Sequence, residues 1–207
     1  IEKGVMTLVN EAQQNHLLNA LSSENFKLVK NCGGSVCNSV VAASNLGAKA
    51  CFTGKVAEDI DGNLFISDLI SAGVDFYSAG KVTGTTGKCL IMVTQDAERT
   101  MNTFLGASQI LSFRDIDTES LKNSNWLYVE GYLLTDKIRN EVIKEAVDFA
   151  KRNGVKIAIS LSDPNVVALF GDALRDVMSG GVDLILCNKD ETKAFTGADD
   201  LESVIGK

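Results

Sequence analysis

The apolar positions of this chain change period several times, and the changes mark out its elements. A short run from Val5 to Val9 has the length and composition of a strand. Asn10 follows it with Gln13 three residues on, the capping-box spacing of a helix start, and Leu17, Leu18 and Leu21 supply that helix's apolar positions. Phe26 to Val29 reads as a second strand. Val36, Cys37, Val40, Val41 and Ser44 then step as one helix from about Ser35 to Leu46, stopped at Gly47. Ala48 to Thr53 is a strand, and Asp61 is placed to cap a helix carrying Leu64, Phe65, Leu69 and Ile70 as far as Gly73.

At Val74 the helical period disappears. From there to about Leu105 only short β-prone runs remain: Asp75 to Ser78, Lys88 to Thr94 and Arg99 to Leu105, the last two joined by a turn at Gln95-Asp96-Ala97-Glu98. The α/β rhythm then resumes with a strand from Trp126 to Val129. A helix from Asp136 to Asn153 follows, with Ile138, Val142, Ile143, Ala146, Phe149 and Ala150 on one side. Lys156 to Leu161 is the next strand, Pro164 to Ser179 is helical, and Asp183 to Cys187 is a last strand. Apolar strands alternating with amphipathic helices predict a parallel sheet covered on both faces, with ligands held beyond the strands' carboxyl ends. Those ends carry Glu130-Gly131, Ser162-Asp163 and Asn188-Lys189-Asp190-Glu191.

Composition narrows the function. With 207 residues the chain is one large domain or a domain with an appendage. A net charge of −7 without any Lys/Arg cluster argues against nucleic acid and anionic membranes as partners. No apolar run approaches the roughly 18–20 residues that span a bilayer. Five cysteines, odd in number and scattered among apolar residues, read as reduced, buried thiols of a cytoplasmic protein. The start at Ile1 and the stop at Lys207 within a helical pattern lead us to expect a longer polypeptide.

The stretch Cys32-Gly33-Gly34-Ser35-Val36-Cys37-Asn38 carries the most chemistry. Two glycines at a strand-to-helix junction let a ligand approach the backbone, and the first N–H groups of the helix point into that space. Ser35 and Asn38, three apart, share a face of the first turn and offer a hydroxyl and an amide to a polyhydroxylated ligand. Asn188 and Glu191 have the same spacing after a buried strand. They read either as a helix-capping pair or as an amide for phosphate and a carboxylate for hydrated Mg2+. Asp163 reads as a cap for the helix at Pro164, and His16, the one histidine, as a structural residue of its helix. Cys32 and Cys37 have no histidine or second cysteine pair nearby for zinc, Cys–His and Ser–His–Asp catalysis lack a partner because His16 is the only histidine, and Walker A and GxGxxG motifs are absent, which disfavours an oxidoreductase of Rossmann type.

Gly33-Gly34-Ser35-Val36-Cys37-Asn38, Asn45-Leu46-Gly47-Ala48 and Gly54-Lys55-Val56-Ala57-Glu58-Asp59-Ile60-Asp61-Gly62 together resemble the N-terminal signature of the ribokinase-like sugar and nucleoside kinases, the PfkB family. Ala57 stands where members commonly have glycine. Thr86-Gly87-Lys88-Cys89, Glu98-Arg99-Thr100 and the N-x-x-E motif at Asn188–Glu191 extend the resemblance over essentially the whole chain. It implies a three-layer α-β-α ribokinase fold with a small β-sheet lid drawn from about residues 3–9, 26–32 and 74–105. It implies ATP-dependent phosphorylation of a primary hydroxyl on a nucleoside or sugar, with Mg2+, in some members a monovalent cation, and homodimers formed through the lid. By position, Gly33, Gly34, Ser35, Asn38, Cys89 and Gly131 would hold the phosphoacceptor. Asn188 and Glu191 would organise the ATP phosphates and Mg2+, the ion being held by Glu191 through water, and Arg99 would reach the phosphoryl group. Gly-Gly-Ser, with Thr-Gly-x-Cys downstream, looks more like adenosine kinases than ribokinases, which tend to carry lysine after the glycines. Ribokinase- or fructokinase-type activity and a non-catalytic binding relative are the alternatives. The family's first strand, with a substrate-binding aspartate, is expected before Ile1, and the general base beyond Lys207. The 207 residues alone are therefore expected not to catalyse.

Overall fold

The computed structural model describes residues 2–24, 26, 28–198, 200 and 202–204. In chain order the elements are β1 (Met6–Leu8), α1 (Glu11–Ser23), α2 (Ser35–Asn45), β2 (Ala50–Thr53), α3 (Ile60–Ser71), β3 (Val74–Tyr77), β4 (Lys88–Val93) and β5 (Arg99–Phe104). Then come α4 (Thr118–Lys122), β6 (Trp126–Glu130), α5 (Lys137–Arg152), β7 (Lys156–Ser160), α6 (Pro164–Met178), β8 (Leu184–Leu186) and α7 (Lys189–Thr196). They alternate strands and helices as the α/β expectation requires, with one separate sheet drawn from the segments expected to form a lid.

The strands form three sheets: β6-β7-β8 and β2-β3, both parallel, and β1-β5-β4, in which β4 and β5 are an antiparallel hairpin and β1 runs parallel to β5. Around β6 and β7 the apolar residues pack into one continuous core that includes Val129, Ile143, Val147, Ile157, Ile159, Leu161, Val167 and Leu174. Ile159 and Leu174 have no exposed surface. A smaller core lies under β2-β3, where Phe52, Phe65 and Phe76 meet with ring centroids 5.5–6.3 Å apart. Helix α2 packs on both β2 and β6 and so joins the two parallel sheets. A buried ion pair secures the loop after β2: Lys55 donates to Asp115, which also accepts the Ser112 N–H at 2.9 Å and the Ala79 N–H at 3.2 Å. Burial alone would raise the Asp115 carboxyl, but Lys55 and these donors outweigh it and hold it below the usual range.

The third sheet is the lid, and α1 rides on it. Asn10 and Gln13 close the capping box that their spacing suggested. Gln14 is buried at 2% exposure beneath α1 and donates to the carbonyls of Lys88 (2.9 Å) and Asn102 (3.4 Å). On the opposite face, register puts Leu8, Thr103 and Cys89 in one row and Met6, Met101 and Ile91 in the next. That face is open: Leu8 is 59% exposed and Val93 66%.

Several expectations are corrected. Phe26, Leu28 and Val29 are exposed and lie in no strand, while Lys27 lies outside the described residues. Strand β3 pairs with β2 and belongs to the body, so the lid strands are β1, β4 and β5 only. Asp59, not Asp61, caps α3. Ile138 is 72% exposed, because the buried side of α5 runs through Arg139, Ile143, Ala146, Val147 and Ala150. Of the cysteines only Cys37 is buried; Cys32 is half-buried, and Cys51, Cys89 and Cys187 are exposed on strand faces or ends. The parallel sheet is in two pieces, and β8 is exposed along its length.

Candidate functional site

The loop into α2 is shaped by Gly34, whose φ of +109° would strain any L side chain, and which caps the helix without a side-chain hydrogen bond. A Cβ on Gly33 or Gly34 would meet nothing within 4 Å. The glycines are thus not demanded by neighbouring protein atoms; they leave open space beside the first turn of α2. Ser35 and Asn38 are both exposed on that turn.

Glu130, at the carboxyl end of β6, reaches this turn. It accepts from the Ser35 hydroxyl and lies close to the Val36 N–H. Burial raises its carboxyl above the usual range even though those two donors pull it down. A carboxylate held poorly solvated beside an open glycine turn is able to accept from a ligand hydroxyl that displaces Ser35. Strand-end position alone could not separate this from a plain surface acid; the signal is that a β6 strand end and the α2 helix start converge.

The ends of β7 and β8 complete the arrangement. Asp163 caps α6, accepting the Asn165 N–H at 2.7 Å, and lies near the Tyr132 hydroxyl. Burial, with Asp163, Glu130 and Glu191 nearby, pushes the Tyr132 phenol up to about 12. Asn188 and Glu191 form a full capping box: Asn188 accepts the Glu191 N–H at 2.8 Å, and Glu191 accepts the Asn188 N–H at 3.0 Å and amide at 2.8 Å. Glu191 is only 7% exposed. The capping reading is the one the structure shows, and a carboxylate with two oxygens engaged by N–H donors still keeps lone pairs for water. The described residues hold no group of three or more His, Cys, Asp or Glu placed to ligate a metal. Mg2+, which keeps most of its water and needs one or two carboxylates, fits such a site better than a tightly ligated ion.

The other sequence-derived residues fall in two places. Gly131 is buried, and a Cβ there would lie 2.8 Å from the Ser160 carbonyl, so close strand packing already requires it. Cys89 and Arg99 share the open face of the lid, Cys89 accepting the Thr103 hydroxyl at 3.3 Å and Arg99 standing exposed opposite Val93, beside the hairpin turn. Cys37 sits beneath α2 with its thiol pushed up to about 12 by burial and the adjacent Cys32, which suits a packing residue and not a nucleophile. No helix among the described residues is long and apolar enough to cross a membrane.

Comparison with known proteins gives a consistent picture. A family profile described as pfkB family carbohydrate kinase matches residues 5–206. The chain is 30% identical over 151 residues to 5-dehydro-2-deoxygluconokinase of Halalkalibacterium halodurans, covering 67% of this chain and 43% of that protein. It is 30% identical over 132 residues to deoxyribokinase of Salmonella typhi, covering 62% and 42%. Adenosine kinase from Sinorhizobium meliloti superposes with a TM-score of 0.89 at 32% identity, over 99% of this chain and 62% of that one. The chain therefore spans less than half the length of these curated relatives.

Proposed function

The chain belongs to the pfkB family of carbohydrate kinases, and from that premise we propose that it forms the phosphoacceptor-binding half of an ATP-dependent kinase for a nucleoside or sugar, of adenosine kinase type. The observation that carries this reading is the open turn Gly33-Gly34-Ser35, faced by Glu130 and flanked at the neighbouring strand ends by Asp163, Asn188 and Glu191. Ser35, Asn38 and Glu130 bind and orient ligand hydroxyls. Asn188 and Glu191 hold the phosphate side, where hydrated Mg2+ supplies the positive charge that offsets the transferring phosphoryl oxygens. Cys89 lines the acceptor from the lid and Arg99 meets phosphate. Gly131 follows the acceptor-binding Glu130 and keeps the strand ends close. Transfer to a hydroxyl requires alignment and charge neutralisation more than covalent chemistry, and these groups are of the right kind for both.

A second reading, a kinase for a 2-deoxy sugar or sugar acid, is favoured by the names of the curated relatives at 30% identity. The two are separated by measuring thermal shift and ADP release for the full-length protein with Mg-ATP and adenosine, inosine, ribose, deoxyribose or fructose. Adenosine is expected to stabilise most; a ligand at 100 times its Kd adds about 2.7 kcal/mol. Stabilisation by deoxyribose alone would move the assignment to the second reading. No shift and no ADP with any acceptor would overturn both.

A further inference from the structure

Strand β7 ends at Ser160, and the chain from there to Asp163 makes a turn that its own residues do not favour. Proline holds the residue before it in extended backbone, and Asp163, before Pro164, accordingly has φ −164° and ψ 140°. The reversal therefore falls on Ser162, whose φ is +72°. Among the described residues, Ala97 is the one other non-glycine with a positive φ, and it lies in the turn between β4 and β5. A left-handed serine is strained, since its Cβ crowds the carbonyl that follows.

What the strain secures is contact with both neighbouring strand ends. Within the turn, the Asp163 N–H donates to the Leu161 carbonyl at 2.9 Å and the Ser162 N–H to the Ser160 hydroxyl at 3.1 Å. On one side, Ser160 is in register with Glu130, and the turn lies hard against Gly131. A Cβ on Gly131 would stand 2.8 Å from the Ser160 carbonyl, 2.9 Å from that of Leu161 and 3.1 Å from the Ser162 hydroxyl. On the other side, the Leu161 N–H donates at 3.0 Å to the carbonyl of Leu186, which stands two residues before Asn188. The turn thus touches the strand end that carries Glu130 and the one that leads to Asn188 and Glu191.

A turn kept only for the fold would be served better by glycine, which takes this φ without strain. A residue with a Cβ has fewer conformations to escape into, so the serine turn is the stiffer one. We propose that Ser162 is a positioning residue, its left-handed backbone making a stiff wedge that sets the distance between the acceptor side of the site, at Glu130, and the phosphate side, at Asn188 and Glu191. Phosphoryl transfer is sensitive to that distance, because the attacking hydroxyl and the leaving oxygen must stand roughly in line. The kinetic consequence rests on the proposed kinase reading; the wedge itself does not.

The test compares Ser162→Gly, which frees the turn, with Ser162→Asn, a residue at home in left-handed backbone, both in the full-length protein. In Ser162→Gly, Tm should hold or rise while kcat falls about tenfold, with KM for acceptor and for Mg-ATP each within about twofold. Ser162→Asn should keep kcat within about twofold of the wild type. Amide exchange in Ser162→Gly should quicken at Leu161 and at Asn188, whose N–H groups are held by Leu186 and Glu191. Wild-type kcat in Ser162→Gly would overturn the proposal, and so would a Ser162→Asn as slow as Ser162→Gly. A fall of Tm together with kcat in Ser162→Gly would show an ordinary structural turn and overturn it too. A wild type that phosphorylates nothing would sink the kinase reading instead. The exchange result then decides the wedge: faster exchange at both amides upholds it, and unchanged exchange removes it.

Discussion

The β6-β7-β8 region and the lid are both three-stranded, yet they are held by different forces. In the first, β7, with buried apolar residues on both faces, sits against α5, α5 packs on α6, and stability comes from area removed from water. In the lid one face is open, and what fixes the other face and the base is polar: Gln14 on two strand carbonyls, Asp59 on Thr86, Asp61 on Lys88. Apolar packing is distributed and makes a region unfold as a unit. Polar pins are local, so a region built on them can move without unfolding.

The sharpest way to break this contrast is to open the body's core. Ile159→Ala leaves a cavity at a site with no exposed surface and should cost about 2–5 kcal/mol. Urea unfolding should show it as a lower midpoint for the whole chain. If β6-β7-β8 loosened while β2-β3 kept an unchanged transition, the body would not be the cooperative unit described.

The matching lid experiment is Gln14→Ala, which strands two carbonyls and should cost about 1–3 kcal/mol. The expected signature is faster amide exchange in β4 and β5 with little change in the global urea midpoint. A global shift as large as that of Ile159→Ala would mean that lid and body unfold together.

The same contrast explains what could be read from the chain. Apolar period located β6, α5, β7 and α6 to within a residue or so, because an amphipathic or buried element must repeat its pattern to bury it. The capping boxes at Asn10–Gln13 and Asn188–Glu191 were equally legible, since both partners lie three residues apart. Gln14 was not, because its partners are 74 and 88 residues away and a buried glutamine has no local signature. Asp59 and Asp61 both suit a helix start, and only the long-range bond to Thr86 decides that Asp59 is the cap. Phe26 to Val29 failed for the opposite reason: the composition suits a strand, but a strand needs a neighbour, which composition does not specify. In the site, Gly33, Gly34 and Ser35 were readable as a motif, while the approach of Glu130 to Ser35 spans 95 residues.

A smaller effect follows from Asp61. The Lys88 hydrogen bond, set against burial and helped by Lys30, holds its carboxyl below the usual range. A depressed carboxylate contributes stability that is present above its unfolded value, about pH 4, and lost as pH falls through the folded one. Lid protection in amide exchange should therefore decline below about pH 4, by no more than about 1 kcal/mol given the exposure of the lysines. Lys88→Met should flatten that decline, and an unchanged acid profile would remove Asp61 from the lid's support.

Glu130 tests the boundary between the two regimes, because it is a half-buried polar group of the body. Its carboxyl is raised by burial, against the pull of Ser35 and Val36, so the sign is opposite to that of Asp61. The folded state takes up a proton more readily than the unfolded one. The stability this contributes is full below the ordinary glutamate range and is lost as pH rises through the raised value. Glu130→Gln keeps an oxygen to accept from Ser35 and removes the charge. It should be as stable as the wild type at pH 4 and slightly more stable at pH 7, read as a small rise in Tm at the higher pH only. If Glu130 also accepts from an acceptor hydroxyl, the same variant should bind that acceptor less tightly at pH 7. A gain in stability with a loss of affinity is the mark of a group kept for its ligand, since a group kept for the fold would lose both.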